Sequence, residues 1–127
     1  MFKALCFALA LGAPAAALAQ PQILSNSWDS AQPSEFTHVL QGRPGARMVR
    51  IDAIVTAGEP ATVSVYPRRA DGSRGEPRLL TAAAAASGDS RVFPVELPPA
   101  GRLPVVVVVE NASGKRSVGE YTLTVAP

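Results

Sequence analysis

Five consecutive valines, Val105–Val109, are the feature that most constrains how this chain folds. β-Branched side chains favour extended backbone, and successive side chains of a strand point to opposite faces of a sheet. A strand made only of valine therefore carries apolar groups on both faces. Because an uncovered valine face promotes aggregation, we expect a central strand covered on both faces, or covered on one face by a partner or by the N-terminal segment. The alternative is a strand with one exposed apolar face.

The rest of the chain has the pattern of short strands separated by turns that contain glycine and proline. Apolar and polar residues alternate with a period of two in five further segments, 36–41, 48–56, 61–66, 91–97 and 118–125. Residues 79–84 are ambiguous, and we favour a weak strand or an irregular segment because so short an alanine tract is marginal as a helix in water. Pro94 predicts a sheet edge or a bulge, since proline has no N–H to donate. Together these segments predict an all-β, antiparallel Ig-like or jelly-roll β-sandwich of about seven or eight strands.

Residues 1–19 have the pattern of a secretory signal peptide: a short positive start, an apolar stretch over 5–11, and an Ala-Leu-Ala cleavage site ending at Ala19. The apolar stretch is too short to span a bilayer as a helix. We therefore expect cleavage after Ala19 and a mature protein that is periplasmic or secreted, without membrane insertion. Residues 20–33 are polar and contain two prolines, and we interpret them as an N-terminal arm before one sandwich domain at 34–127.

The composition of the mature chain excludes several kinds of site. The only cysteine of the whole sequence, Cys6, lies in the predicted signal peptide. The mature chain is therefore expected to form neither a disulfide nor a thiolate metal site. The formal net charge of +2 falls to +1 when Lys3 is removed, which is too small to indicate a nucleic-acid partner. No zinc spacing, calcium loop or phosphate loop is present in the sequence, and we expect no metal and no cofactor.

The residues needed for catalysis are also not grouped in the sequence. His38 is the only histidine, and its place between Phe36 and Leu40 on one face of a predicted strand favours a packed core residue over a general base. No serine lies in a nucleophile-elbow motif, and the carboxylates are scattered singly. We therefore expect a protein that is not an enzyme.

Basic residues in the loops are the candidate binding residues. The segment 67–78 carries Arg68, Arg69, Arg74 and Arg78; Arg102 precedes the valine strand, and Lys115 and Arg116 follow it. A guanidinium group binds carboxylates and phosphates through two parallel hydrogen bonds. The expected partner is therefore a protein with an acidic surface or an acidic glycan. The alternative is an ordinary solvated loop, whose local ion pairs contribute little.

The order of segments resembles that of the bacterial pre-peptidase C-terminal (PPC) domains. The resemblance covers residues 35–125 and rests on the strand–turn–strand at 49–66, the turn at 97–101, and the ending Gly-Glu-Tyr-Thr-Leu-Thr-Val at 119–125. It implies an Ig-like jelly-roll sandwich, which in that family usually accompanies a secreted enzyme.

The chain is also similar to the periplasmic inhibitors of g-type lysozyme, which are small exported sandwiches with a basic loop. Residues 97–103 match part of their approach to a late strand, with Ala100 in place of serine and Leu103 in place of tyrosine. This resemblance implies that Arg68, Arg69 or Arg102 enters the acidic cleft of a lysozyme-type cell-wall hydrolase.

Two other functions fit the same sequence. One is an accessory module that binds glycan or the cell envelope. The other is a structural or assembly subunit that pairs with another chain through an edge near Pro94 or through the valine strand.

Overall fold

Eight β-strands form two antiparallel sheets in the computed structural model, which describes residues 20–127. The strands are β1 (Gln22–Ser30), β2 (Ser34–Gln41), β3 (Gly45–Gly58), β4 (Ala61–Pro67), β5 (Leu80–Ala84), β6 (Asp89–Leu97), β7 (Arg102–Glu110) and β8 (Ser117–Val125). Sheet A has the order β1-β8-β3-β6, and sheet B has the order β2-β7-β4-β5. The predicted all-β sandwich is confirmed. The predicted signal peptide lies outside the described residues, and none of the residues that are described belongs to a helix able to cross a bilayer.

The valine segment is the central part of β7, which lies between β2 and β4 in sheet B. Val105, Val107 and Val109 face the core between the sheets. Val106 and Val108 lie on the outer face, yet they are only 1% and 3% exposed. Each buried valine contributes roughly 1.5 kcal/mol or more. The expectation of a central strand covered on both faces is confirmed, and no backbone edge of β7 is left for another chain.

Two segments with weak patterns also form strands. The alanine tract forms β5, in which Leu80, Ala82 and Ala84 are buried and the residues between them are not. β6 is an edge strand of sheet A, as Pro94 predicted. Its pairing with β3 runs through Pro94 without a register shift, so the proline marks an edge and not a bulge.

The segment interpreted as an N-terminal arm is instead mostly strand β1, which pairs with β8 over nine residues. Trp28 is buried, Leu24 is partly buried, and Ile23 is 64% exposed. The Trp28 indole N–H donates to the Ser117 hydroxyl at 3.0 Å. The serines and asparagine of β1 are poor strand formers, so tertiary pairing with β8, and not local preference, makes this segment extended.

His38 joins the two sheets through Tyr121, since its Nε2 lies 2.6 Å from the Tyr121 hydroxyl oxygen. Burial lowers the pKa of His38 and raises the pKa of Tyr121. The phenol therefore stays protonated and shares this hydrogen bond with a neutral imidazole, and the tautomer of His38 sets which group donates. This arrangement agrees with a packed histidine, because the contact with Tyr121 occupies Nε2 of His38.

Gly119 is required where Trp28 crosses β8. A Cβ at position 119 would lie 2.8 Å from Trp28 Cη2 and still closer to the Ile54 carbonyl oxygen. We expect Gly119→Ala to reduce the free energy of unfolding by about 1–3 kcal/mol, as overpacking does. For a domain of this size the midpoint of thermal unfolding should fall by at least about 4 °C.

Gly42→Ala is the matched control, because the nearest atom to its added Cβ is Leu97 Cδ1 at 3.4 Å. Thermal unfolding followed by circular dichroism should place this variant close to the unaltered protein. Equal midpoints for the Gly119 and Gly42 variants would contradict the packing of Trp28 on Gly119.

The lowered pKa of His38 makes stability depend on pH in a defined direction. The unfolded chain, with a histidine pKa of about 6.5, takes up the proton at a higher pH than the folded protein does. The stabilisation is therefore complete above the unfolded pKa and is lost as the pH falls below it. We expect urea unfolding to give a lower free energy at pH 5.5 than at pH 7.5. His38→Gln should remove most of this difference, and an unchanged difference would contradict the prediction.

Candidate arginine-rich binding surface

The loop between β4 and β5 begins as a small ordered hairpin that places two arginines side by side. Arg68 and Arg74 form an antiparallel bridge. The hydrogen bonds flank this pair, since Arg69 N–H donates to Ser73 O at 2.7 Å and Gly75 N–H donates to Pro67 O at 2.6 Å. Arg68 and Arg74 are therefore a non-hydrogen-bonded pair, the kind in which facing side chains approach most closely. Their side chains share one face of the hairpin.

The tip of this hairpin is held by short-range hydrogen bonds. One carboxylate oxygen of Asp71 accepts the Ser73 hydroxyl at 2.6 Å and the Ser73 N–H at 2.9 Å. The hydroxyl bond from Ser73 is the main reason that the pKa of Asp71 is lowered. Arg69 Nη1 donates to the Arg74 carbonyl oxygen at 2.9 Å. Arg69 therefore ties the hairpin together, and the arginines are presented by an ordered turn.

Arg74 extends from the hairpin over the outer face of sheet B. Its guanidinium carbon lies 4.6 Å from the centre of the Tyr66 ring, a cation–π contact that fixes the side chain. Tyr66 belongs to β4 and pairs with Val106. The guanidinium is thus positioned beside the outer valines of β7.

Arg102 lies on the same outer face, at the start of β7. Residues 102, 104, 106 and 108 share this face because the strand alternates, and Arg68 N–H donates to Pro104 O at 2.9 Å. Arg68 therefore lies next to Pro104, and Arg102 is one row further along. Gly101 sets the turn before it, with φ at +72°, and a Cβ at this position would clash with the Gly42 carbonyl oxygen.

We call Arg68, Arg74 and Arg102, with Tyr66, the arginine face. Within residues 20–127, three ion pairs form, Arg50–Asp52, Arg91–Asp89 and Arg116–Asp29. None of the arginines in the arginine face takes part in them. Three guanidinium groups are therefore gathered at one end of sheet B without a carboxylate partner in the described part of the chain.

The other predicted binding residues have different positions. Arg78 is exposed on the return side of the loop. Lys115 and Arg116 precede β8, at the opposite end of the sandwich. Arg116 makes two bonds to Asp29, at 2.7 and 2.9 Å, which fix β1 to the β7–β8 loop and lower the pKa of Asp29. The structure therefore gathers Arg68, Arg74 and Arg102 and separates them from Lys115 and Arg116.

One arginine at the same end of the molecule was not predicted. Arg43 is exposed in the turn between β2 and β3, and Gly42 N–H in that turn donates to Gly101 O at 3.0 Å. This bond brings the Arg43 turn against the Arg102 turn. The Gly-Arg-Pro-Gly sequence identifies the turn, but nothing local in it indicates which other turn it contacts.

Three carboxylates of residues 20–127 line one depression on sheet A, and two of them are held in ion pairs. A depression of about 370 Å³ on sheet A is lined by Asp52, Asp89 and Glu120 among others. Asp52 and Asp89 are each paired with an arginine, at 2.9 and 3.0 Å. Across residues 20–127, no three histidine, cysteine or acidic side chains are placed to hold a metal ion.

Comparison with known proteins shows the fold. No protein-family model matches the sequence, and no curated protein matches it. Among solved structures, the chain is similar to the pre-peptidase C-terminal domain of a collagenase from Bacillus anthracis, with a TM-score of 0.52, 12% identity, and 84% of this chain and 89% of that chain covered. A protein of the disulfide-linked pili that form Bacillus endospore appendages gives a TM-score of 0.47, 18% identity and 83% coverage of each chain. At these identities the likeness concerns the fold alone: the chain has a β-sandwich like that of a PPC domain, as its sequence predicted.

Proposed function

We propose that this chain is a non-catalytic binding module whose arginine face binds a partner rich in carboxylates. The observation that carries the proposal is the cross-strand pair of Arg68 and Arg74. Like charges directly opposite each other destabilise a strand pair by up to about 1 kcal/mol. An anion bound between the two guanidinium groups would remove this repulsion and would accept their paired N–H donors.

The spacing of the arginines indicates the kind of partner. Facing residues of a close pair have Cβ atoms roughly 4.5–5.5 Å apart, so Arg68 and Arg74 suit a single carboxylate. Arg102 lies one row away, which is roughly 6.6–6.8 Å along a strand, and so suits a second acidic group. A partner with two or more neighbouring carboxylates fits this arrangement better than one isolated acid.

The acidic active-site cleft of a lysozyme-type cell-wall hydrolase is the most specific partner of this kind. Its support is the sequence similarity to the periplasmic inhibitors of g-type lysozyme, together with the position of Arg102 in the segment that carries it. In this form of the proposal Arg68 and Arg102 would occupy the cleft and exclude substrate. Arg69 would support them by holding the hairpin.

An acidic glycan is the second candidate partner. Four of the five aromatic rings in residues 20–127, those of Trp28, Phe36, Phe93 and Tyr121, pack in or against the core. Tyr66 is half-buried and already stacked with Arg74. Recognition of a sugar by stacking on a flat aromatic surface is therefore not favoured, whereas binding of its acidic groups by arginine is.

Loss of either Arg68 or Arg102 should weaken binding to a carboxylate polymer. We expect Arg68→Gln and Arg102→Gln each to lower the affinity for poly-L-glutamate at least fivefold, measured by titration calorimetry at low salt. Lys115→Gln removes one positive charge from the opposite end of the sandwich and should leave the affinity within twofold. Equal losses in all three variants would indicate attraction by net charge alone and would contradict a site at the arginine face.

The same variants separate the two candidate partners. In turbidity assays with goose-type and chicken-type lysozymes, micromolar protein should slow lysis, and the Arg68 and Arg102 variants should not. Unchanged lysis by both enzymes would contradict the inhibitor form. Retention on heparin or on peptidoglycan, lost in the arginine variants only, would then favour the acidic glycan.

A further inference from the structure

The four edge strands of the sandwich differ in how their free backbone is protected. Natural sheets block their edges with proline, positive charge, short strands or side-chain cover. β6 carries Pro94 and Arg91, and β5 has only five residues. The edges of β2 and β1 are the two that remain, and they lie on the same side of the sandwich.

The edge of β2 is occupied by a side chain from the other sheet. Gln22 Nε2 donates to the Val39 carbonyl oxygen at 3.0 Å, and Gln22 Oε1 accepts the Gln41 N–H at 2.8 Å. The Gln22 amide thus uses a carbonyl and an N–H that an added strand would need. Both bonds lie near the end of β2, at the point where it passes the start of β1.

The edge of β1 carries no such block. β1 has nine residues, without proline, lysine or arginine, and its pairing with β8 is regular from Gln22 to Ser30. The Ser27 N–H is directed away from β8, since it donates to the side-chain oxygen of Asn26 at 3.0 Å. By the alternation of an antiparallel strand, Ile23, Ser25, Ser27 and Asp29 all present their backbone groups outward.

We propose that β1 binds the β1 strand of a second copy of this chain, so that two A sheets become one antiparallel sheet of eight strands. The strand overlaps a second copy over its full length when Asn26 lies on the two-fold axis. Outward-facing residues then exchange hydrogen bonds with outward-facing residues, Ser25 with Ser27 and Ile23 with Asp29. The Asn26 side chain releases the Ser27 N–H, which is donated to the second copy instead.

The side chains of β1 are compatible with this symmetric pairing. On the inner face each Leu24 lies opposite Trp28 of the second copy, and the two Asn26 amides face each other on the axis. On the outer face small serines face serines. Asp29 is the only charged residue of β1, and it faces Ile23, so the register contains no pair of like charges, which would oppose association.

A cysteine at the axis tests the register directly. The chain from Gln20 onward contains no cysteine, so Asn26→Cys introduces a single thiol. Residues facing each other in a non-hydrogen-bonded pair have Cα atoms about 4.5 Å apart, within the range that a disulfide bridges. We expect mild oxidation to convert most of this variant to a covalent dimer.

Ser27→Cys is the control for random cross-linking. In the proposed register the two Ser27 residues are offset by a full row, beyond the roughly 7 Å that a disulfide spans. This variant should form at least tenfold less covalent dimer under the same conditions. Equal cross-linking of both variants, or none in the Asn26 variant, would overturn the proposal.

Sedimentation of the chain from Gln20 onward tests association without a cross-link. The unaltered protein should be dimeric at high micromolar concentration. Ser25→Pro removes an outward N–H that β8 does not use, and Asn26→Asp places two carboxylates together on the axis; each should raise the dissociation constant at least tenfold. Ser25→Ala keeps the N–H and should dimerise like the unaltered protein.

Circular dichroism confirms that each variant is folded, and Asn26→Asp serves as the decisive variant if Ser25→Pro does not fold. A protein that stays monomeric at 200 µM would overturn the proposal. So would a dimer that neither variant weakens.

Discussion

The packing of β7 at the centre of sheet B is the constraint on which the rest of the structure depends. Its valines fill the core on one side and are also buried on the other, where Tyr66 and Ser64 of β4 lie beside Val106 and Val108. Because β7 pairs with both β2 and β4, its register fixes the position of Tyr66 beside Val106 and of Arg68 beside Pro104. Backbone pairing of β7 therefore positions the arginine face, and the contact of Arg74 with the Tyr66 ring adds to it.

The arginines of residues 20–127 differ in whether a carboxylate of the same chain binds them, and this difference separates structural arginines from those left to bind a partner. Arg50, Arg91 and Arg116 are each bonded to a carboxylate, although exposed pairs of this kind contribute only about 0–1 kcal/mol. Arg116 adds specificity rather than much stability, because its two bonds fix Asp29 of β1 in register. The arginines around Tyr66 have no such partner among residues 20–127, which is a physical reason to regard them as the binding side chains.

The sequence predicts the elements in which burial and alternation agree. The inward direction of Val63 and Val65 follows from period-two patterning. The central valine strand follows from its unbroken apolar run, and the edge position of Pro94 follows from its missing N–H. β1 is not predicted in this way, because six of its nine residues are Gln, Ser, Asn or Asp, and Leu24 and Trp28 are the only apolar residues of its inner face. Its strand conformation depends on Gly119 and Ser117, which lie about ninety residues away and leave no local signal.

The candidate site was predictable only in part, for a similar reason. Clustered arginines in a loop identify a basic segment. Which of them bind within the protein and which are left for a partner depends on tertiary contacts. Arg74 is fixed by Tyr66, Arg69 is used by the hairpin backbone, and Arg116 is neutralised by Asp29. Arg43 joins the same end through a bond between two glycine turns, Gly42 and Gly101.

The proposed pairing of β1 bears on the kind of partner that the arginine face suits. A two-fold axis through Asn26 would leave both B sheets on one side of the eight-stranded sheet, with their arginine faces directed to opposite ends. The interface would bury neither arginine face, since β1 belongs to sheet A. Two separated sites gain avidity only from a partner that reaches both. A dimer would therefore favour an extended anionic polymer or a surface with repeated acidic groups, whereas a single enzyme cleft would engage one arginine face at a time.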